Sequence, residues 1–134
     1  MADRTIELAD GRTLGYAEYG DPAGEPLVYH HGGLSCGRDF SFADEWRARN
    51  GVRILAPDRP GIRASSPNPG YRLEQTAEDT AALADRLGIE RFAVAGWSAG
   101  GPHAIATASR LGDRVTAVAT VGGIAPREAA DLGL

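Results

Sequence analysis

Arg91-Phe92-Ala93-Val94-Ala95-Gly96-Trp97-Ser98-Ala99-Gly100-Gly101-Pro102-His103 decides how this chain reads, because an apolar run ends there in a serine set among glycines. Residues 91 to 95 are short and apolar, with an aromatic and a β-branched side chain, and read as a buried strand. Residues 102 to 108 are alanine-rich and helix-compatible. The expectation is a strand, a sharp turn and a helix, with Ser98 at the apex. Gly96-x-Ser98-x-Gly100 is the spelling of a nucleophile elbow, in which a strained serine projects from the end of a strand and small neighbours let the backbone pass close by. With 18 glycines in 134 residues, chance alone produces the pattern about 0.1 times, so its weight comes from the strand and helix that flank it. The competing reading is a glycine-rich turn whose serine merely caps the helix.

Working outward, residues 4 to 8 and 12 to 19 alternate apolar and polar around Asp10-Gly11, which predicts an antiparallel hairpin at one edge of a sheet. Pro26-Leu27-Val28-Tyr29-His30 and Val52-Arg53-Ile54-Leu55-Ala56 read as buried strands. The first breaks into His31-Gly32-Gly33-Leu34-Ser35-Cys36-Gly37, whose three glycines suggest unusual dihedrals or close approach to a ligand. The second breaks into a long Pro/Gly/Ser loop, 57 to 70, of the kind that often carries function. Helices are expected over 40 to 49, ending at Asn50-Gly51, and over 73 to 87, where apolar residues recur at helical spacing and Gly88 follows. Residues 114 to 121 form a further strand, and Pro126 opens a short helix running to Leu134.

A hairpin followed by alternating strands and helices means an α/β domain. Its sheet is predominantly parallel after an N-terminal antiparallel hairpin, and helices flank it. Ligands in such sheets bind at the carboxyl ends of the strands, where the loops 31 to 37, 58 to 70 and 96 to 101 all lie.

Composition narrows the function classes. A chain of 134 residues is a single domain's worth, burying about two thirds of its unfolded surface. The formal charge of −4 and the scattered arginines argue against a nucleic-acid or membrane surface. All 14 basic residues are arginine, which excludes a P-loop lysine, a Schiff-base lysine and a Ser-Lys dyad from this chain. Cys36 stands alone and cannot form an internal disulfide, and the first residues are too charged for a signal peptide, so a cytoplasmic protein is expected. Cys36 is read as a small buried residue, Trp46 and Trp97 as core or pocket wall.

With these elements in place, the chain resembles the α/β-hydrolase fold family of serine, esterase-like hydrolases. The elbow at 96 to 101, the His31-Gly32-Gly33 loop after the third strand and the Asp58-Arg59-Pro60-Gly61 loop after the fourth fall in the family's order and approximate spacing. The resemblance runs over the whole chain, 1 to 134, but only over the front part of the family's fold, without its C-terminal strands and lid. It implies that Ser98 attacks a carbonyl while the backbone N–H groups of Gly33 and Ala99 hold the oxyanion. It implies too that His31, Gly32, Leu34 and Trp97 shape the pocket for a small acyl substrate, with His31 forming the oxyanion loop. No metal or cofactor is implied, and adjacent His30 and His31 point to opposite faces of a strand and make a poor chelate. Arg63 departs from the family's pattern by standing where a glycine is usual. A non-glycine residue in left-handed backbone costs about 1 kcal/mol, so a rearranged loop is expected there.

A serine hydroxyl needs a base, and the base needs an orienting acid. The family's order is serine, acid, histidine, yet the histidine beyond Ser98 is His103, expected to pack on the following helix and not to reach back. Asp131 is a poor acid candidate, Asp113 sits before a strand, and Asp58 is expected to fix its own loop through backbone hydrogen bonds. Two readings stay open: a hydrolase completed by a histidine and an acid from elsewhere, through a complementing chain or a homo-oligomer at the exposed edge of strand 114 to 121, or a non-catalytic binding module. A dinucleotide-binding unit is disfavoured because neither glycine-rich turn spells Gly-x-Gly-x-x-Gly.

Overall fold

The computed structural model describes residues 4–39, 41 and 44–128. Its six strands are β1 (Arg4–Glu7), β2 (Thr13–Gly20), β3 (Glu25–His30), β4 (Val52–Pro57), β5 (Phe92–Trp97) and β6 (Val115–Val121). They form one sheet in the order β1-β2-β4-β3-β5-β6. The hairpin β1–β2 is antiparallel and joins β4 antiparallel, whereas β4, β3, β5 and β6 run parallel. The helices are α1 (Asp44–Arg49), α2 (Gln75–Arg86) and α3 (Gly100–Arg110).

Two-residue periodicity sorts the apolar side chains into two layers. Val28 of β3, Leu55 of β4 and Val94 of β5 face one side, where they pack with Phe92, Leu83 of α2 and Ala104 of α3. Their neighbours Tyr29, Ile54 and Ala56 face the other side with Ala17 and Tyr19 of β2. A strand buried on both faces has no polar alternation to show, which is why β3 and β4 appear in the sequence as unbroken apolar runs.

The predicted hairpin and strands form, as do the helices expected over 40 to 49, 73 to 87 and after Ser98, with ends shifted by a few residues. The helix expected from residue 40 begins at Asp44, and Phe40, Phe42 and Ala43 lie outside the described residues. Of the helix expected after Pro126, residues 127 and 128 form a 3₁₀ turn, and 129 to 134, with Asp131, lie outside the described residues.

The strand order could not be read from the chain. β4 inserts between β2 and β3, and the 58–70 loop then follows β2. Ser66 Oγ accepts the Thr13 N–H at 2.9 Å and Ser65 Oγ accepts the Gly15 N–H at 2.9 Å. The Arg12 guanidinium forks onto the Asp79 carboxylate at 2.7 and 3.1 Å and ties the hairpin to α2. At the opposite edge β6 carries Val-Thr-Ala-Val-Ala-Thr-Val, exposed from Thr116 onward and without a charge to guard its unpaired side. No helix among the described residues is long and apolar enough to cross a membrane.

Candidate active site

The carboxyl ends of β3, β4 and β5 converge where the sequence placed the three unusual loops. β5 ends at Trp97, and Ser98 turns the chain into α3 with φ +52°, one of two non-glycine residues with positive φ among those described. Such backbone costs about 1–2 kcal/mol for an L-residue, so the surroundings must hold it. They do so with hydrogen bonds to the main chain of Ser98. Its N–H donates to Val121 O at 2.9 Å, and its carbonyl accepts from Gly101 N–H at 3.0 Å and Ile124 N–H at 3.3 Å.

The glycines of the turn are there for space. A Cβ on Gly96 would stand 2.2 Å from Gly100 O, and one on Gly100 would stand 2.0 Å from His30 O. Strand β5, the first turn of α3 and the end of β3 are therefore in backbone contact. That contact brings the 31–37 loop to the serine: a Cβ on Gly33 would lie 3.5 Å from that of Ala99. Gly33, Leu34, Trp97, Ser98 and Ala99 line one cleft of about 310 Å³. Among the described residues no group accepts a hydrogen bond from the N–H of Gly33 or of Ala99. Two uncommitted donors beside a strained serine, at the first turn of a helix, make a site suited to a developing negative charge.

Leu34 lines the cleft as expected, yet its side chain is wholly exposed. Trp97 is a wall residue, 45% exposed. It faces both this cleft and a separate apolar groove of about 520 Å³ beneath it, lined also by Tyr29 and Trp46. Trp46 is thus a groove wall and is mostly exposed. Cys36 is half-buried, not buried, because it sits on the loop and not under it.

The histidines are all committed elsewhere. His31 is fully buried, with its Nδ1 2.9 Å from Gly32 O and its Nε2 receiving the Arg59 backbone N–H at 3.2 Å. These partners require the neutral ring with the proton on Nδ1. Burial first, then the Arg59 cation, pushes its pKa down to about 4. His30 lies 3.1 Å from Thr107 Oγ1, whose own proton goes to His103 O at 2.9 Å, so His30 donates from Nε2. Burial, with the neighbouring His103 next in size, pushes it down to about 3. His103 Nδ1 donates to Ala99 O at 2.9 Å and its ring stacks 6.3 Å from Tyr71; burial lowers its pKa also. No imidazole hydrogen-bonds the Ser98 hydroxyl among the described residues. Nor do three of His, Cys, Asp and Glu converge there to hold a metal.

All three imidazoles are depressed, and the two most buried, His30 and His31, set an acid limit on the fold. Above pH 6.5 both are neutral whether folded or not and have no effect. As the pH falls from 6.5 toward 4 the unfolded chain takes up protons that the native state refuses, and stability drops. We expect a loss on the order of 5 kcal/mol between pH 7 and pH 4, read as the shift in urea unfolding midpoint. Equal midpoints at pH 7 and pH 4.5 would contradict buried neutral rings.

Two residues do more than their motif suggested. Asp58 reaches beyond its own loop: its Oδ1 accepts the Gly37 N–H at 2.7 Å and anchors the far end of the 31–37 loop. Arg63 does not force a rearrangement; it adopts the left-handed backbone itself, φ +51°, with its guanidinium 3.5 Å from Asp58 Oδ2. Sequence reasoning passed over Arg59. Its Nη1 donates to His31 O at 2.6 Å and its Nη2 to Gly32 O, with Gly33 O at 3.4 Å. The available signal was its place in the Asp58-Arg59-Pro60-Gly61 loop, two residues beyond the carboxyl end of β4.

Comparison with known proteins agrees with this architecture. The chain is 32% identical over 98 residues to a non-heme chloroperoxidase of Streptomyces lividans, covering 72% of this chain and 36% of that protein. It is 36% identical over 107 residues to an uncharacterised hydrolase of Bacillus subtilis, covering 79% and 36%. Among solved structures it superposes on the N-acyl homoserine lactonase AidH complexed with N-butanoyl homoserine. There the TM-score is 0.77 at 27% identity, over 92% of this chain and 45% of that one. The chain thus spans between about a third and a half of these relatives. The model of the alpha/beta hydrolase fold matches residues 25–134, which takes in every strand from β3 to β6 and the Ser98 turn, and the chain belongs to the alpha/beta hydrolase family.

Proposed function

We propose that this chain is the nucleophile-bearing part of a serine hydrolase acting on an ester or related acyl compound. The observation that carries the reading is Ser98, held at φ +52° in a cleft with two uncommitted N–H groups, those of Gly33 and Ala99. In this mechanism the Ser98 Oγ attacks the acyl carbon while a base takes its proton. The carbonyl oxygen gathers charge between the two N–H groups, and the alcohol leaves as the acyl–Ser98 ester forms. Water then cleaves that ester by the reverse proton path. With all three histidines committed, the base and its orienting acid come from a polypeptide beyond these residues, and the uncharged edge of β6 is where such a chain, or a second copy, would add. The lactonase among its neighbours supports a small acyl substrate, since the ligand named with it is an N-acyl homoserine. The single cysteine, which cannot form an internal disulfide, supports a cytoplasmic protein.

The commitment of His31 and His103 favours one alternative, a binding module that keeps the cleft and does no chemistry. Intact-mass spectrometry of natively purified protein after a fluorophosphonate probe separates the two. The expected result is one adduct, mapped to Ser98, in material that also contains the histidine-bearing polypeptide. Absence of any adduct in preparations that still bind acyl ligands would establish the binding module instead.

A further inference from the structure

We propose that Arg59 is a positioning residue that aims the Gly33 N–H into the cleft by gripping the carbonyls of the 31–33 loop. In a trans peptide the carbonyl and the following N–H point in opposite directions. Whatever holds Gly32 O therefore sets the direction of Gly33 N–H. Two donors hold it, His31 Nδ1 at 2.9 Å and Arg59 Nη2. Arg59 also takes His31 O through Nη1 at 2.6 Å, and its own backbone N–H locks the His31 ring through Nε2 at 3.2 Å. The opposite side of the loop is closed by Trp97, whose Cε3 would lie 3.0 Å from a Cβ on Gly32. The backbone is thus clamped between a ring and a guanidinium, and one peptide unit is left with its carbonyl on the arginine and its N–H free.

The side-chain chemistry suits this task. A guanidinium is planar and presents five N–H donors in a fixed fork, so one group can satisfy adjacent carbonyls at once; an ammonium is a compact charge with three donors on a flexible stem and lacks that fork. Burial disfavours the charge on Arg59, while Tyr71, Asp39 and Asp58 nearby favour it. Without Arg59, the carbonyls of His31 and Gly33 lose this donor and Gly32 O keeps His31 Nδ1 alone, a weaker hold on a peptide plane that glycine's missing Cβ does little to limit.

The inference rests on the oxyanion role given above to Gly33, and its test reads the loop and the chemistry separately. In ¹⁵N-labelled protein, Arg59→Ala is expected to move or broaden the Gly33 amide resonance and speed its hydrogen exchange, with the resonances of α2 unchanged. Arg59→Lys is expected to fall between. In the labelling-competent protein the rate of fluorophosphonate addition to Ser98 is expected to fall about 100-fold in Arg59→Ala, as for loss of one oxyanion donor, with little change in ground-state ligand affinity. Added guanidinium should restore part of it. Should Arg59→Ala fail to fold, Arg59→Lys carries both measurements. An unmoved Gly33 amide in folded variants overturns the positioning role, whatever the wild type labels. A shifted Gly33 amide in a wild type that never labels sustains the positioning and overturns the hydrolase reading.

Discussion

Replacing Ser98 with glycine is expected to make the protein more stable while abolishing its chemistry. The two effects have separate causes in one residue. At φ +52° the serine side chain adds about 1–2 kcal/mol of backbone strain, which glycine removes. Glycine also gives the unfolded chain more freedom, returning about 0.4–1 kcal/mol, so the net gain is about 0.5–1 kcal/mol. For a domain of this size that is a rise in melting temperature of a few degrees, about 2–4 °C. Hydrolysis and fluorophosphonate labelling should fall by about 10⁴–10⁶-fold, the scale seen when an acyl-transfer nucleophile is deleted. Ser98→Ala keeps the strained backbone and should lose the chemistry with stability almost unchanged. A glycine variant clearly less stable than the alanine variant would mean that Ser98 is not strained. Labelling that survives in both would move the nucleophile to another side chain, with Cys36 the first to check.

Gly100→Ala is expected to cost stability heavily even though it adds a single methyl group. That methyl would stand 2.0 Å from His30 O, 2.7 Å from His30 C and 2.8 Å from His31 O, all backbone atoms at the end of β3. Side chains can rotate away from an intruder, but a strand terminus can move only by dragging the 31–33 loop with it. Overpacking of a well-packed site costs about 1–3 kcal/mol, and rigid backbone on both sides puts this change at or above the upper end. Any variant that still folds would carry the loop displaced from Ala99 and should label at Ser98 far more slowly than wild type. Gly112→Ala is the control, since its nearest neighbour is Ala108 O at 3.5 Å and its backbone is not left-handed; its melting temperature should stay within about 2 °C of wild type. A Gly100→Ala melting point equal to that of the control would refute the backbone contact between α3 and β3.

The Ser98 turn links these two expectations to the rest of the fold. Its strain is held by Val121 O of β6 and by the N–H groups of Gly101 and Ile124. The edge strand on which a complementing chain would add is therefore also the strand that holds the serine backbone in place. Pairing at that edge should make the turn more rigid as well as bring in new groups.

What the amino-acid sequence determined by itself was everything that depends on neighbours along the chain. The period of the apolar residues produced the strands at 26–30, 52–56 and 91–95 and the helix at 73–87, because side-chain direction is dictated locally. The serine and its flanking glycines were legible for the same reason: a turn too tight for Cβ atoms must be written in glycine. Gly33 and Ala99 were legible only through resemblance, since a backbone N–H leaves no mark in the identity of its residue. Tertiary structure alone decided the rest. The insertion of β4 between β2 and β3 is a pairing across some forty residues, which no local pattern encodes. Asp58 was expected to serve its own loop; it faces Arg63 there and also holds Gly37, 21 residues away in the chain. Arg59 meets the 31–33 carbonyls across 26 to 28 residues. Arg63 accepted a glycine's conformation because a carboxylate stood where its guanidinium could reach. Asp58 and Arg59 meet groups remote in sequence, and only the packing of β3 beside β4 brought them together.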